Sequence, residues 1–292
     1  MSLRQQLQGT GVALITPFTS EQRVDFNALG KVIDAMIKGG VEYLITLGTT
    51  GETPTLDKQE KLDIVNYTFE KAAGRVPVVV GIGGNNTAEL IKDLHYFPLD
   101  KAVAVLSASP NYNKPSQEGI YQHYKALAAE SPKPIILYNV PGRTGRNMTA
   151  ETTLRLSELP NIEGMKEAGG DMAQCMQILR DMPKDFLFVS GDDALALPQL
   201  ACGMHGVISV AANAFPAEFS EMVRLCLQNK FPEAKAVNDK LLDAYDIMFC
   251  ENNPAGVKAF MAERGLIGNF VRLPVVPLSS GVHAKVNAYL TK

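Results

Sequence analysis

Residues 161–170 read NIEGMKEAGG: a short apolar run, Ile162 to Met165, delivers Lys166 and is halted by the pair Gly169 and Gly170. An ammonium at the end of a buried-looking strand is costly to desolvate, so its position needs a reason. Two readings stand open from these residues: Lys166 snorkels or pairs with Glu167, or it is an amine placed to attack a carbonyl. The run is one of eight. Moving outward, similar β-branched or apolar runs are VALIT from Val12, YLIT from Tyr43, VVVGI from Val78, AVAVLSA from Ala102, IILYN from Ile135, FLFVS from Phe186 and GVISV from Gly206.

Amphipathic stretches of helical length lie between these runs, among them 25–38, 57–73, 116–130 and 192–202, most opened by an Asp, Ser or Thr able to cap the first turn. The alternation is βα throughout, with a spacing of about 28 residues, close to the roughly 30 of a chain of about 250 residues in eight units. This favours a closed (β/α)8 TIM barrel over an open doubly wound sheet, although strand count does not prove closure. Beyond Phe215 and Pro216 the strand pattern stops, and helical stretches near 231–250, 254–264 and 282–290 predict a C-terminal extension. The expected division is a barrel with the site over 1–215, then the last barrel helix and the extension over 216–292.

Composition narrows the function. With 28 basic and 31 acidic residues and a net charge of -3, the chain has no electrostatic footprint for nucleic acid or a membrane surface, so a small substrate is expected. The first apolar run before Pro17 is too short for a signal segment or a membrane span, which predicts a cytoplasmic protein. Cys175, Cys202, Cys226 and Cys250 form no CxxC pair and read as small buried hydrophobes. His95, His123, His205 and His283 show no metal-ligand spacing, so no catalytic metal is expected.

In a barrel of this kind the chemistry sits where the strands end. The second run ends in GTTGE, Gly48 to Glu52, a turn whose N–H groups and threonine hydroxyls suit a carboxylate, or an ordinary capped turn. The third ends in GIGGNNTAE, a poor match to a dinucleotide loop; Gly81, Gly83 and Gly84 read as room for close backbone approach, with Thr87 as helix cap. The fourth presents Tyr112 on a loop between Pro110 and Pro115, for its own site or for a subunit contact. The fifth ends in YNVPGRTG, with a phenol at Tyr138 and, at Arg143, a guanidinium fork for a carboxylate or a structural ion pair. The seventh ends in SGDDALAL, where Asp192 or Asp193 reads as a helix cap. Lysine, tyrosine and threonine at neighbouring strand ends, without metal ligands, describe an amine that forms a Schiff base with an α-keto acid, helped by a phenolic proton relay. This is class I aldolase chemistry.

At these residues the sequence resembles the dihydrodipicolinate synthase family, within the pyruvate-dependent lyases that include N-acetylneuraminate lyase. The likeness runs through GVALITPF, GTTGE, GIGGNNTAE, YNKPSQEGIYQHYKA, LYNVPGRTG, GMKEA, SGDDALAL, GVISVAAN and ENNPAGVKA, in that order and over nearly the whole chain. It implies a (β/α)8 barrel with helical extension and a homotetramer, a dimer of dimers, in which a tyrosine crosses the tight interface. It implies the catalytic set Lys166, Tyr138, Thr49 and Tyr112: Lys166 forms the pyruvate imine, Tyr138 moves the proton, and Thr49 links it to Tyr112 of a neighbouring subunit. It further implies that Thr49 and Thr50 hold the pyruvate carboxylate, that Arg143 holds the carboxylate of L-aspartate 4-semialdehyde, and that the backbone at Gly191 and Ile208 lines the pocket. No cofactor is implied beyond the covalent imine, and the product enters diaminopimelate and lysine biosynthesis.

The sequence also departs from the family pattern. Asn111 stands where many members carry tyrosine, and Lys58 and Lys61 stand where lysine-inhibited members often carry histidine, beside the matching Asn85 and Glu89. Added positive charge repels a cationic effector, so weak or absent lysine feedback is expected. A lyase acting on N-acetylneuraminate or 2-keto-3-deoxygluconate would share Lys166 and Tyr138, but Arg143 favours the semialdehyde. A non-catalytic α-keto acid sensor is disfavoured because both the lysine and the phenol are present.

Overall fold

A computed structural model describes all 292 residues. Eight parallel strands, β1 Gly9–Ala13, β2 Tyr43–Thr46, β3 Val78–Gly81, β4 Ala104–Ala108, β5 Ile135–Asn139, β6 Ile162–Glu167, β7 Leu187–Ser190 and β8 Gly206–Ser209, follow one another around a closed barrel. Closure, which strand count left open, is made by β8 pairing with β1 from Gly9 opposite Gly206 to Val12 opposite Ser209. The first strand begins three residues before the apolar run that marked it. Gly9 and Gly11 carry no side chain for a hydropathy pattern to register, yet their backbone groups serve the ladder.

Side chains alternate across each strand, so every strand feeds two cores. Outward residues such as Val12, Leu44, Val80, Ile135, Leu137 and Met165 pack under the helices in a cluster of 64 buried residues. Inward residues, including Tyr43, Ile45, Val79, Ile136, Leu187 and Ile208, fill the barrel in a separate cluster of 14. Leu3 and Leu7 join the inner cluster from the short helix Leu3–Gln6 and the residue after it; the helix is fixed by a capping box at Ser2 and closes the N-terminal end.

The helices form for local reasons. In Phe26–Lys38 the Asp25 carboxylate accepts from the Ala28 N–H at 2.9 Å, and Leu29, Val32, Ile33 and Met36 supply one apolar face at helical spacing. Asp57 and Ser116 cap Lys58–Ala72 and Gln117–Glu130 in the same way. Two expected caps are corrected. Asn86, not Thr87, caps Thr87–Tyr96, because the amide oxygen one residue earlier reaches the free N–H groups of Ala88 and Glu89. Neither Asp192 nor Asp193 caps the helix after β7: it starts only at Ala196 with no side-chain cap, Asp192 instead accepting from the Ala194 and Leu195 N–H groups.

Pro216–Leu227 packs against β1 as the last helix of the ring, and Phe231–Phe249, Ala255–Glu263 and Ser280–Leu290 follow as the extension. A triad of rings pins this extension down: Phe215, Phe260 and Tyr289 meet edge to face, with centroids 5.6 to 5.8 Å apart. Cys175 and Cys226 are buried as expected, but Cys202 and Cys250 are exposed. No helix is long and apolar enough to cross a membrane.

The inner core is filled so closely that one strand must yield to another. A Cβ on Gly11 would lie 2.2 Å from the completely buried Tyr43 ring directly opposite. Gly11→Ala is therefore expected to lower the urea unfolding free energy by about 3 kcal/mol, the upper end of overpacking costs. An unchanged unfolding midpoint would show that the ring has somewhere to go.

Candidate active site

The C-terminal ends of the strands surround a cleft of about 1310 Å3, bordered by Lys166, Tyr138, Thr49, Thr50, Arg143 and Gly191. Residues far apart in sequence meet there because parallel strands end on the same side. Tyr138 on β5 stands directly beside Lys166 on β6. The Lys166 Nζ lies 4.4 Å from the centre of the Tyr138 ring, and both side chains are more than nine-tenths buried. A cation over an aromatic face is attracted to it, so the ring helps to hold the amine at the mouth of the barrel. Pairing with Glu167 is excluded by the alternation of the strand, which sends the next residue to the opposite face. There Glu167 accepts from Asn139, Gln174 and the Gly169 N–H in a buried polar network, and burial pushes its carboxyl above the ordinary range.

Gly191 has a definite function in this packing. A Cβ there would sit 2.8 Å from Cε and 3.0 Å from Cγ of Lys166, so only glycine leaves the lysine stem its channel. Ile208 is completely buried in the inner cluster and does not border the cleft; at that strand end Val210 does.

The GTTGE stretch forms a short 3-10 turn, Thr49–Gly51, between two residues in the left-handed region, Leu47 at φ 56° and Glu52 at φ 53°. The N–H groups of Thr49 and Thr50 open the turn and have no partner within it, as at any helix start, which leaves them for an anion. Its shape is enforced from outside: Thr53 Oγ1 donates to the Gly48 carbonyl at 2.8 Å and Thr16 Oγ1 to that of Gly51 at 2.7 Å. Gly81 gives the turn room, since a Cβ there would lie 2.3 Å from the Leu47 carbonyl oxygen.

Arg143 is exposed at the cleft mouth, its Nη2 donating to the Asn253 carbonyl at 3.4 Å. Tyr112 is 89% exposed, at φ 62°, and does not border the cleft of its own chain. No hydrogen bond joins Thr49 to Tyr138 or Tyr112 within the protomer. Of the residues around the expected effector region, Lys58 pairs with Asp93 at 3.0 Å, Asn85 accepts from the Asn111 N–H at 2.9 Å, and Lys61 borders the cleft.

Three further groups support the site: Asn253 and Lys258, which the sequence did not single out, and Asp193, which it offered only as a helix cap. Asn253 reaches the cleft from the extension. Lys258, completely buried, donates to Glu52 and to the Phe270 carbonyl, with burial lowering its ammonium to about 8 against the opposing pull of Glu52. The only hint of it was one lysine inside the apolar stretch AGVKAF. Asp193 is 2% exposed; one carboxylate oxygen accepts from the Val210 and Ala211 N–H groups at 3.1 and 2.8 Å, which fixes the chain beyond β8.

Burial pushes the Asp193 carboxyl up from its ordinary 3.8 to about 6, against the hydrogen bonds that favour the anion. The folded state therefore holds this proton more tightly than the unfolded chain. The stability it brings is present below about pH 4 and lost as pH rises through about 6. Over that range wild type should lose up to about 3 kcal/mol relative to Asp193→Asn, whose amide can keep both N–H contacts without a charge. Paired urea titrations would measure this difference, and a constant difference across the range would contradict it.

Comparison with known proteins gives a consistent result. The model of the Dihydrodipicolinate synthetase family matches residues 6–292. A 4-hydroxy-tetrahydrodipicolinate synthase of Flavobacterium psychrophilum is 48% identical over 286 residues, 98% of each chain. Among solved structures, the 4-hydroxy-tetrahydrodipicolinate synthase of Methylacidiphilum fumariolicum SolV superposes with a TM-score of 0.94 at 39% identity, covering 97% of this chain and 95% of that one. The chloride-inhibited dihydrodipicolinate synthase of Acinetobacter baumannii, complexed with pyruvate, gives 0.95 at 38% identity, with 98% of each chain covered. With the match spanning the barrel, the strand-end residues and the extension alike, the chain belongs to the dihydrodipicolinate synthetase family.

Proposed function

We propose that this chain condenses pyruvate with L-aspartate 4-semialdehyde through a Schiff base on Lys166, giving 4-hydroxy-tetrahydrodipicolinate for the diaminopimelate and lysine pathway. The observation that carries the reading is the buried Lys166 amine against the Tyr138 ring at the barrel mouth, with the open N–H groups of Thr49 and Thr50 on the same cleft. The relatives' shared activity supports it, as does the pyruvate complex of the Acinetobacter baumannii enzyme.

In this mechanism the Lys166 nitrogen adds to the keto carbon of pyruvate while Thr49 and Thr50 hold its carboxylate. Loss of water leaves an iminium, which draws electrons from the adjacent carbon. Tyr138 relays the proton that this carbon releases, and the resulting enamine attacks the aldehyde carbon. Arg143 grips the carboxylate of the incoming aldehyde at the cleft mouth, where a planar fork gains two charge-assisted hydrogen bonds. The substrate's own amine then displaces Lys166 from the imine carbon, closing the ring and freeing the enzyme. Gly191 leaves the lysine its path, and Ile208 backs the pocket from inside the barrel.

The same reading makes the protein a homotetramer, a dimer of dimers. An almost fully exposed Tyr112 that touches nothing of its own site fits a side chain delivered across an interface to complete the Tyr138 relay through Thr49. Residues 1–215 supply the reacting groups and 216–292 close the wall around them. No metal takes part in these steps. A cytoplasmic location is supported by two exposed, unpaired cysteines, which a reducing compartment preserves.

Borohydride added with pyruvate should leave one reduced adduct, on Lys166, and none in Lys166→Arg; an adduct elsewhere would remove Lys166 from its role. Arg143→Ala should raise the KM for the semialdehyde by at least about tenfold with little change for pyruvate, whereas faster turnover of a sugar aldehyde would move the enzyme to the sugar-acid lyases. Lys61 on the cleft favours weak or absent lysine feedback, and a micromolar lysine isotherm would refute that part.

A further inference from the structure

Asn253 lies 203 residues from Thr50 in sequence, yet its Nδ2 donates to Thr50 Oγ1 at 3.2 Å, the sole hydrogen bond of that hydroxyl within the chain. A threonine hydroxyl has one proton and two lone pairs. With a lone pair taken by an amide N–H, its proton is left to donate to something else, and the cleft is where an anion would take it. The main-chain oxygen of Asn253 meanwhile receives Arg143 Nη2 at 3.4 Å. One residue of the extension thus touches both groups assigned to substrate carboxylates.

The placement is built rather than incidental. Five residues further on, Lys258 is completely buried and pairs with Glu52, two residues beyond Thr50, so the segment grips the GTTGE turn at two points. Arg272 adds a third contact, its N–H donating to Glu52 Oε2 at 2.9 Å. Asn253 itself is 6% exposed and borders the cleft, and its Oδ1 is buried without a partner. An unsatisfied buried amide oxygen is costly, so a residue kept only for packing has no use for it.

We infer that Asn253 is a positioning residue: its amide orients the Thr50 hydroxyl as a donor to the pyruvate carboxylate, and its carbonyl anchors Arg143 for the second substrate. The inference rests on the reading of Lys166 and Thr50 given above. It deepens that reading by making the C-terminal extension a determinant of affinity for both substrates.

The test is the pyruvate concentration that half-saturates borohydride trapping of the purified full-length protein, followed by mass spectrometry, for wild type, Asn253→Ala and Asn253→Asp. Asp matches Asn in shape but only accepts; it would draw the Thr50 proton to itself and repel a carboxylate. The expected order is a rise of about tenfold in Asn253→Ala and a larger one in Asn253→Asp. A purely structural role predicts the reverse order, because the isosteric Asp fills the space that Ala leaves empty, and that order overturns the inference, as does no rise in either.

If Asn253→Ala fails to fold, Asn253→Asp is compared with Thr50→Val alone and with the two combined. Half-saturation unaffected by Asn253→Asp, or additive effects in the combined variant, overturn the inference, and shared, non-additive effects uphold it. Absence of any pyruvate adduct in wild type removes the parent reading instead, and the inference with it.

Discussion

The structure depends on the limited space inside a closed ring of eight strands. Because side chains alternate, every second residue of each strand must fit within that ring, and large and small residues have to interdigitate across it. Tyr43 occupies the space that Gly11 leaves, and the layers above are filled by branched residues up to the level of Tyr138 and Lys166. The layer that holds Tyr138 and Lys166 is thus the last layer of a packed core. Its side chains have solid material beneath them and a cleft above, which is how an amine and a phenol come to be both buried and addressable.

The same packing explains the distribution of charge. Glu167 and Lys166 are adjacent in sequence but have different surroundings, because one residue's difference along a strand exchanges the two cores. Glu167 anchors Asn139 and Gln174 among the helices, while Lys166 faces the mouth. A buried charge pair, Glu52 and Lys258, fastens the extension to the GTTGE turn. Such pairs contribute little net stability once desolvation is counted, but removing one partner leaves an uncompensated charge, so they hold an arrangement in place. Phe18 lies under both Lys258 and Arg272, at 4.2 and 4.3 Å from the ring centre, which extends this arrangement into an aromatic stack.

Much of this was legible in the chain. Eight apolar runs at even spacing, with caps at Asp25, Asp57 and Ser116, define a βα repeat from local chemistry alone. Strand ends carrying Lys166, Tyr138, Thr49, Thr50 and Arg143 could be read as a site because parallel topology collects such ends on one face. What was misread has local causes. Gly9 and Gly11 were invisible to hydropathy, Asn86 displaced Thr87 by a shift of one residue, and the Asp192–Asp193 pair serves a turn and a strand end instead of a helix. Cys202 and Cys250 lie on the surface because neighbouring residues, not residue type, decide burial.

The sequence by itself determined the repeat, the residue types at the strand ends and, through the order of its motifs, the family to which it belongs. Tertiary structure alone decided that β8 closes on β1, that Gly191 must yield to the stem of Lys166, and that Asn253 and Lys258 reach the GTTGE turn from more than two hundred residues away. The physical reason is that propensity, capping and periodicity act over a few residues, where the sequence displays them directly. Contacts between distant segments depend on which side chains share a layer of the barrel, and no local pattern records that.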